Sequence, residues 1–212
     1  DYMKMAFGLS ERFDAPVLFH VTTRVCHSKG IVELGDREEH EYVPYKKQIE
    51  KYVSAPANAK KMRVNLETKL ANMEAYANET EINQPEWHST KIGVVTSGIS
   101  YQYAKETFGE DASYLKLGMT FPLPTDLIKD FCSKVDKVYV IEEMDPYLQE
   151  FLEIHGIECI GNQQIPKFDE LNTDIVREAL TGVKPESYES DLQSVVRPPT
   201  LCAGCPHRGF FQ

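Results

Sequence analysis

Two thiols two residues apart, Cys202 and Cys205, stand in Arg197-Pro198-Pro199-Thr200-Leu201-Cys202-Ala203-Gly204-Cys205-Pro206-His207-Arg208-Gly209. A C-x-x-C loop supplies two ligands to a zinc ion or an iron–sulfur cluster, and either site needs more. His207 offers a third donor on a short loop, and no second C-x-x-C occurs, so a metal centre here needs completion from outside the chain. The alternative is a pair of reduced thiols in a turn that Gly204 tightens. A second group is Thr22-Thr23-Arg24-Val25-Cys26-His27-Ser28-Lys29-Gly30. Hydroxyls, a guanidinium and an imidazole just after a strand can bind an anion. Equally, the threonines can cap backbone groups in a solvated loop. Thr96-Ser97-Gly98-Ile99-Ser100 resembles a strand-to-helix phosphate turn but lacks the Gly-x-Gly-x-x-Gly and P-loop spacings. Glu142-Glu143-Met144-Asp145 looks like an acid/base cluster without a nearby His, Ser or Cys. A solvated strand end, or a helix N-terminus that favours negative charge, accounts for it equally simply.

These groups need elements to carry them. Tyr2, Met5, Ala6, Leu9 and Phe13 recur at helical spacing, and Asp14-Ala15-Pro16 stops that helix. Val17-Leu18-Phe19-His20-Val21 is a short apolar run that predicts a buried strand. Residues 31–58 are polar and irregular. Met62, Leu66, Leu70, Met73 and Ala77 predict an amphipathic helix over 59–79, and residues 78–89 read as a linker with a lone Trp87. From 91 to 180 strands and helices alternate. Strands are expected at 92–96, 114–117, 137–141 and 157–160, and helices at 100–108, 125–133, after Pro146, and 173–180, with Thr125 as a cap. That order predicts an α/β fold: an open, mostly parallel sheet with helices on both faces, preceded by the end of a second α/β domain and a helical linker.

Composition narrows the function classes. The chain has 212 residues, 23 Lys and Arg against 33 Asp and Glu, and a net charge of −10. With 42% hydrophobic and 26% charged residues it is neither disordered nor fibrous. The acidic balance argues against a nucleic-acid binder, and no apolar run reaches the ~18 residues of a membrane span. Five cysteines, an odd and scattered set, do not make a disulfide framework. Cys132 and Cys159 sit in apolar settings and read as buried thiols, which suits a reducing cytoplasm. The chain opens at Asp1 in mid-helix and stops just after its most motif-like stretch, as a piece of a longer protein would.

The stretch at 197–209 resembles the segment opening the diphosphate-binding domain of the indolepyruvate:ferredoxin oxidoreductase alpha subunits, a branch of the 2-oxoacid:ferredoxin oxidoreductases. Ala15-Pro16-Val17-Leu18 through Ser28 is similar to the end of that family's pyrimidine-binding domain. Val140-Ile141-Glu142-Glu143 followed by Asp145-Pro146 is similar to its transketolase C-terminal-type domain. The resemblance is collinear over nearly the whole chain. It implies four parts: residues 1–30 ending a pyrimidine-binding-type domain, 31–90 a linker with an amphipathic helix, 91–185 the transketolase C-terminal-type domain, and 186–212 the start of the diphosphate-binding domain.

The resemblance also implies an enzyme that oxidatively decarboxylates aryl 2-oxoacids such as indolepyruvate to aryl-acetyl-CoA and passes electrons to ferredoxin. Thiamine diphosphate, magnesium and 4Fe-4S iron–sulfur clusters would serve the full enzyme, with a beta subunit, CoA and ferredoxin as partners. On that likeness Arg24 and His27 are the expected catalytic residues, Arg24 reading substrate carboxylate or cofactor charge. Thr22, Thr23, Gly204 and His207 are expected to line the cofactor, and Cys202 and Cys205 to ligate a cluster. Pro206-His207 stands where the family commonly has Gly after the second Cys, so the thiols could instead shape the loop near the diphosphate. The Gly-Asp-Gly and Asn that hold magnesium, and the ferredoxin-like Cys repeats, are absent from the sequence. The chain alone is therefore expected to bind no cofactor and to be inactive. Two other classes fit the residues as well: a non-catalytic α/β interaction module, and a CoA- or nucleotide-binding regulatory domain using Thr96–Ser100.

Overall fold

The computed structural model describes residues 2–37, 39, 41–186 and 204–211. Helix α1 (Tyr2–Phe13) stops where Asp14 takes φ +48 and Pro16 offers no backbone donor. The Ala15 amide turns back to the Ser10 carbonyl at 3.2 Å and closes the end. Residues 17–21 form no strand and are exposed, Leu18 at 93%. The apolar run there has the right residues, but among the described residues no neighbouring strand offers it a ladder. The next segment is a five-residue helix, α2 (Thr23–His27), rather than a plain loop. The Cys26 amide donates to the Thr22 carbonyl at 3.0 Å to form it.

Helix α3 (Ile49–Tyr52) is one turn. Helix α4 (Pro56–Glu79) runs 24 residues, with proline in its first turn where the missing donor costs nothing. Asp14 clasps both, accepting from Lys51 Nζ at 2.5 Å and Lys69 Nζ at 2.8 Å. Phe13 meets Tyr76 edge-on at 5.6 Å, so α1 lies against the C-terminal half of α4. After α4 the chain makes a 3-10 turn at Glu81–Asn83 and then β1 (Pro85–Glu86). Part of the expected linker thus joins the sheet.

The sheet contains β1, β2 (Ile92–Ser97), β3 (Ser113–Leu117) and β4 (Lys137–Ile141) in the order β1-β3-β2-β4. β2 runs parallel to β3 and to β4, with Val94 opposite Tyr114 and Tyr139, and β1 is antiparallel to β3. Between and after the strands lie α5 (Ser100–Phe108), α6 (Thr125–Ser133), α7 (Tyr147–Ile154) and α8 (Thr173–Thr181). A short α9 (Arg208–Phe211) ends the described chain.

Two-residue alternation sends the strand side chains to opposite faces. Val95, Leu115, Val138 and Val140 pack with Ile128 and Phe131 of α6 and with Leu148 and Leu152 of α7. Val94, Tyr114, Tyr139 and Ile141 pack with Ala104 and Phe108 of α5 and with Val176 of α8. Both faces are covered, which is why the strands read as continuous apolar runs. This is the open, mostly parallel α/β sheet that the alternation predicts.

Two expectations inside this domain change. The strand at 157–160 reduces to a single parallel bridge from Ile160 to Tyr139. The amides of Gly156 and Ile157 bond back to Glu153 and Leu152 of α7, so only Ile160 reaches the ladder. Thr125 does not cap α6: Pro124 holds the cap position, and the Thr125 hydroxyl donates to the Glu74 carboxylate of α4 at 2.5 Å.

Candidate functional site

Helix α2 carries the first expected group. Thr22 occupies its cap position but makes no side-chain bond to the helix, and Thr22, Thr23, Arg24 and His27 are all exposed. Arg24 reaches 146 residues along the chain to Glu170: its Nε donates to Oε1 at 2.8 Å and its Nη2 to Oε2. The pair holds the Glu170 carboxyl below, and the Arg24 guanidinium above, their ordinary values. Next to Glu170, the Leu171 amide donates to the Glu143 carboxylate at 3.1 Å. Glu143 lies just past the end of β4. The Tyr103 phenol of α5 is raised by burial, with the charges of Glu143 and Glu170 adding and that of Arg24 opposing. Arg24, Glu170, Glu143 and Tyr103 therefore form one neighbourhood beside the carboxyl end of β4, where open α/β sheets bind ligands.

The second expected group does not gather with the first. Gly204 takes φ +81 as a tight turn requires. Cys205 Sγ lies 3.4 Å from His207 Nδ1. Cys202 lies outside the described residues, as does most of 186–212. Among the described residues no three His, Cys, Asp or Glu side chains come together as a metal site would need, and no hydrogen bond joins residues 22–28 to Cys205 or His207.

Thr96–Ser100 is spoken for structurally. The buried Thr96 hydroxyl donates to the Ile141 carbonyl at 2.7 Å, tying β2 to β4, and Gly98 turns the chain at φ +57. Of the acidic group, Glu142 is buried and accepts from the amides of Leu148 and Gln149 at 2.7 and 3.0 Å. It caps α7 from the strand before it, which is the helix N-terminus reading of that cluster. Burial raises its carboxyl above the ordinary value, while those amide bonds pull the other way.

Sequence reasoning missed two clusters. Glu86 on β1 accepts from Lys105 and Tyr101 of α5 at 2.5 Å each and meets His88 at 2.8 Å. Lys105 first, then Tyr101 and His88, lower its carboxyl to about 2. This reads as a pin holding the edge strand to α5. The other is Glu170, for which sequence carries no signal at all. An open cleft of about 960 Å³ lies among α1, α3 and α4. Asp14 pairs with two of the cleft's lysines, Lys51 and Lys69.

No protein-family profile matches the chain. It is 37% identical over 229 residues to the indolepyruvate oxidoreductase subunit IorA of Methanothermobacter thermautotrophicus, covering all of this chain and 37% of that protein. The IorA subunits of Archaeoglobus fulgidus and Pyrococcus abyssi are 35% and 31% identical, again over all of this chain and 37% of theirs. A solved 2-oxoglutarate:ferredoxin oxidoreductase from Magnetococcus marinus gives a TM-score of 0.42 and 19% identity over 50% of this chain and 20% of that one. The chain spans 37% of the length of the curated relatives it matches. The likeness first carried by residues 15–28, 140–146 and 197–209 thus extends over the whole sequence, which is similar from end to end to a part of the IorA subunit of indolepyruvate oxidoreductases.

Proposed function

We propose that this chain is part of an IorA-type subunit of an oxidoreductase that converts aryl 2-oxoacids, indolepyruvate first among them, to aryl-acetyl-CoA with ferredoxin as electron acceptor. The observation that supports it is the 37% identity maintained over the entire chain. Within that reading the four parts are 1–30, 31–90, 91–185 and 186–212, as the resemblance divides them. A beta subunit completes the enzyme, and a reducing cytoplasm is its compartment.

Among the described residues, the donors do not by themselves make a site for thiamine diphosphate, magnesium or an iron–sulfur cluster. Thr22, Thr23 and His27 stand exposed along one short helix. Glu170 occupies the Nε–Nη2 edge of Arg24 and leaves Nη1 outside that contact. Among the described residues no metal-ligating trio forms. In this reading the rest of the protein completes the sites for the cofactors. The part assigned to these residues is recognition and assembly: Arg24 takes the substrate carboxylate by charge-assisted hydrogen bonds, and the α/β domain holds that arm in place. Val17, Leu18, Phe19, Ile31, Val32 and Leu34 are each exposed, as residues that pack against the remainder of a larger subunit would be.

The test is an assay of the native protein containing this sequence, coexpressed with its partner subunit under anaerobic conditions. Reduction of ferredoxin or a viologen dye that requires both indolepyruvate and CoA is the expected result. A folded complex that reduces neither dye nor ferredoxin with any aryl 2-oxoacid overturns the reading.

A further inference from the structure

We propose that Glu170 is a positioning residue for Arg24, holding one edge of the guanidinium so that the other edge is presented to the carboxylate of a 2-oxoacid. This rests on the reading that Arg24 takes the substrate carboxylate, and adds the residue that aims it.

Glu170 engages the Nε–Nη2 edge with both of its oxygens. A two-point contact of this kind fixes the guanidinium plane as well as its position, which a single bond or a lysine would not do. The donors are arranged as a rigid fork, so fixing one edge also fixes the direction of the Nη1–Nη2 edge. Among the described residues no partner meets Nη1, and the Arg24 side chain is 78% exposed. That edge is free to accept a planar carboxylate.

Glu170 is itself well placed to aim. Its neighbour Leu171 is buried, and the Leu171 amide is bonded to Glu143 at the end of β4. Asp169, on the other side, takes φ +64, so the loop turns sharply there. The carboxylate thus projects from a fixed part of the α/β domain. α2 alone gives Arg24 no such anchor, because none of its five residues is buried. Glu170 pairs with the single positive charge of Arg24. What Glu170 contributes is direction and register between the two segments rather than field strength.

The experiment uses the complete enzyme with Glu170→Gln, which keeps the shape and removes the charge, and with Arg24→Lys. Glu170→Gln is expected to raise the KM for indolepyruvate about tenfold, the scale of one weakened charge-assisted contact, while kcat and the KM for CoA hold. Protection of Arg24 from phenylglyoxal by indolepyruvate, read by mass spectrometry, should need correspondingly more substrate. The melting temperature should not change, because the pair is exposed. A lower KM in Glu170→Gln would show that Glu170 competes with the substrate, and an unchanged KM would show a mere surface pair. Either result overturns the proposal, as does a loss of kcat at constant KM. If Arg24→Lys also leaves the KM unchanged, the carboxylate reading of Arg24 is what has failed.

Discussion

Glu142 and Glu86 are both carboxylates at strand ends, and their surroundings drive them in opposite directions. Glu142 is buried beneath the start of α7 and satisfies two of its orphan amides. Replacing it with alanine leaves those amides unpaired and is expected to cost about 1–3 kcal/mol in urea unfolding. Its folded-state value lies above the ordinary 4.5. The unfolded chain therefore loses this proton first as pH rises, and the group's contribution is full below pH 4.5 and shrinks above it. Glu86 is the reverse. Held near 2 by Lys105, Tyr101 and His88, it contributes fully above its ordinary 4.5 and loses that contribution as pH falls towards 2. Glu142→Gln should remove the first slope and Glu86→Gln the second in unfolding curves taken across pH. Thiols divide in the same way. Burial pushes Cys132 up to about 12, whereas Cys26 is exposed. Brief iodoacetamide treatment at about pH 8 should label Cys26 and spare Cys132, as peptide mapping would show.

Among the elements, close approach matters most at Gly118 and Gly93. A Cβ on Gly118 would stand 2.7 Å from the Ile82 carbonyl oxygen, a backbone atom that cannot swing aside. On Gly93 it would stand 2.7 Å from a Val135 methyl. Gly118→Ala is expected to cost about 1–3 kcal/mol in chemical unfolding, and more than Gly93→Ala, where side chains can yield. The strands and helices between 91 and 154 were legible because each strand is buried on both faces and each helix has one apolar side, so period and composition agree. The run at 17–21 misled for a physical reason. An apolar, β-branched segment declares that it needs a ladder, not whether a partner is at hand. At 157–160 the return bonds to α7 compete with the sheet, and a periodicity argument cannot weigh them. The candidate site was legible only in part. Arg24 and His27 stand out by type and place, but Glu170 is an ordinary loop glutamate whose meaning comes from a contact spanning 146 residues.

For the molecule as a whole, the uneven distribution of structure has kinetic consequences. Residues 28–48 carry Lys29, Arg37, Lys46 and Lys47 on exposed backbone without helix or strand among the described residues. Limited trypsin should cut there first and leave a resistant piece containing α4 and the sheet, identifiable by mass. The four-stranded core and the long helix before it should survive that cut because Asn83, Asn78 and Glu74 join them independently of the N-terminal segment.

Asn83 has a mechanical consequence. Its buried amide donates to the Ala77 carbonyl at 2.9 Å and accepts from the Gly118 and Met119 amides at 2.9 Å each, so the foot of α4 is riveted to the loop after β3. The 24 residues above that rivet make a rod about 36 Å long. A swing of about 10° at the foot would carry the far tip some ~6 Å, roughly a full helical turn. Asn83, with Asn78 and Glu74 against α6, thus forms the base of a lever, and the Lys51–Asp14–Lys69 clasp rides on its arm.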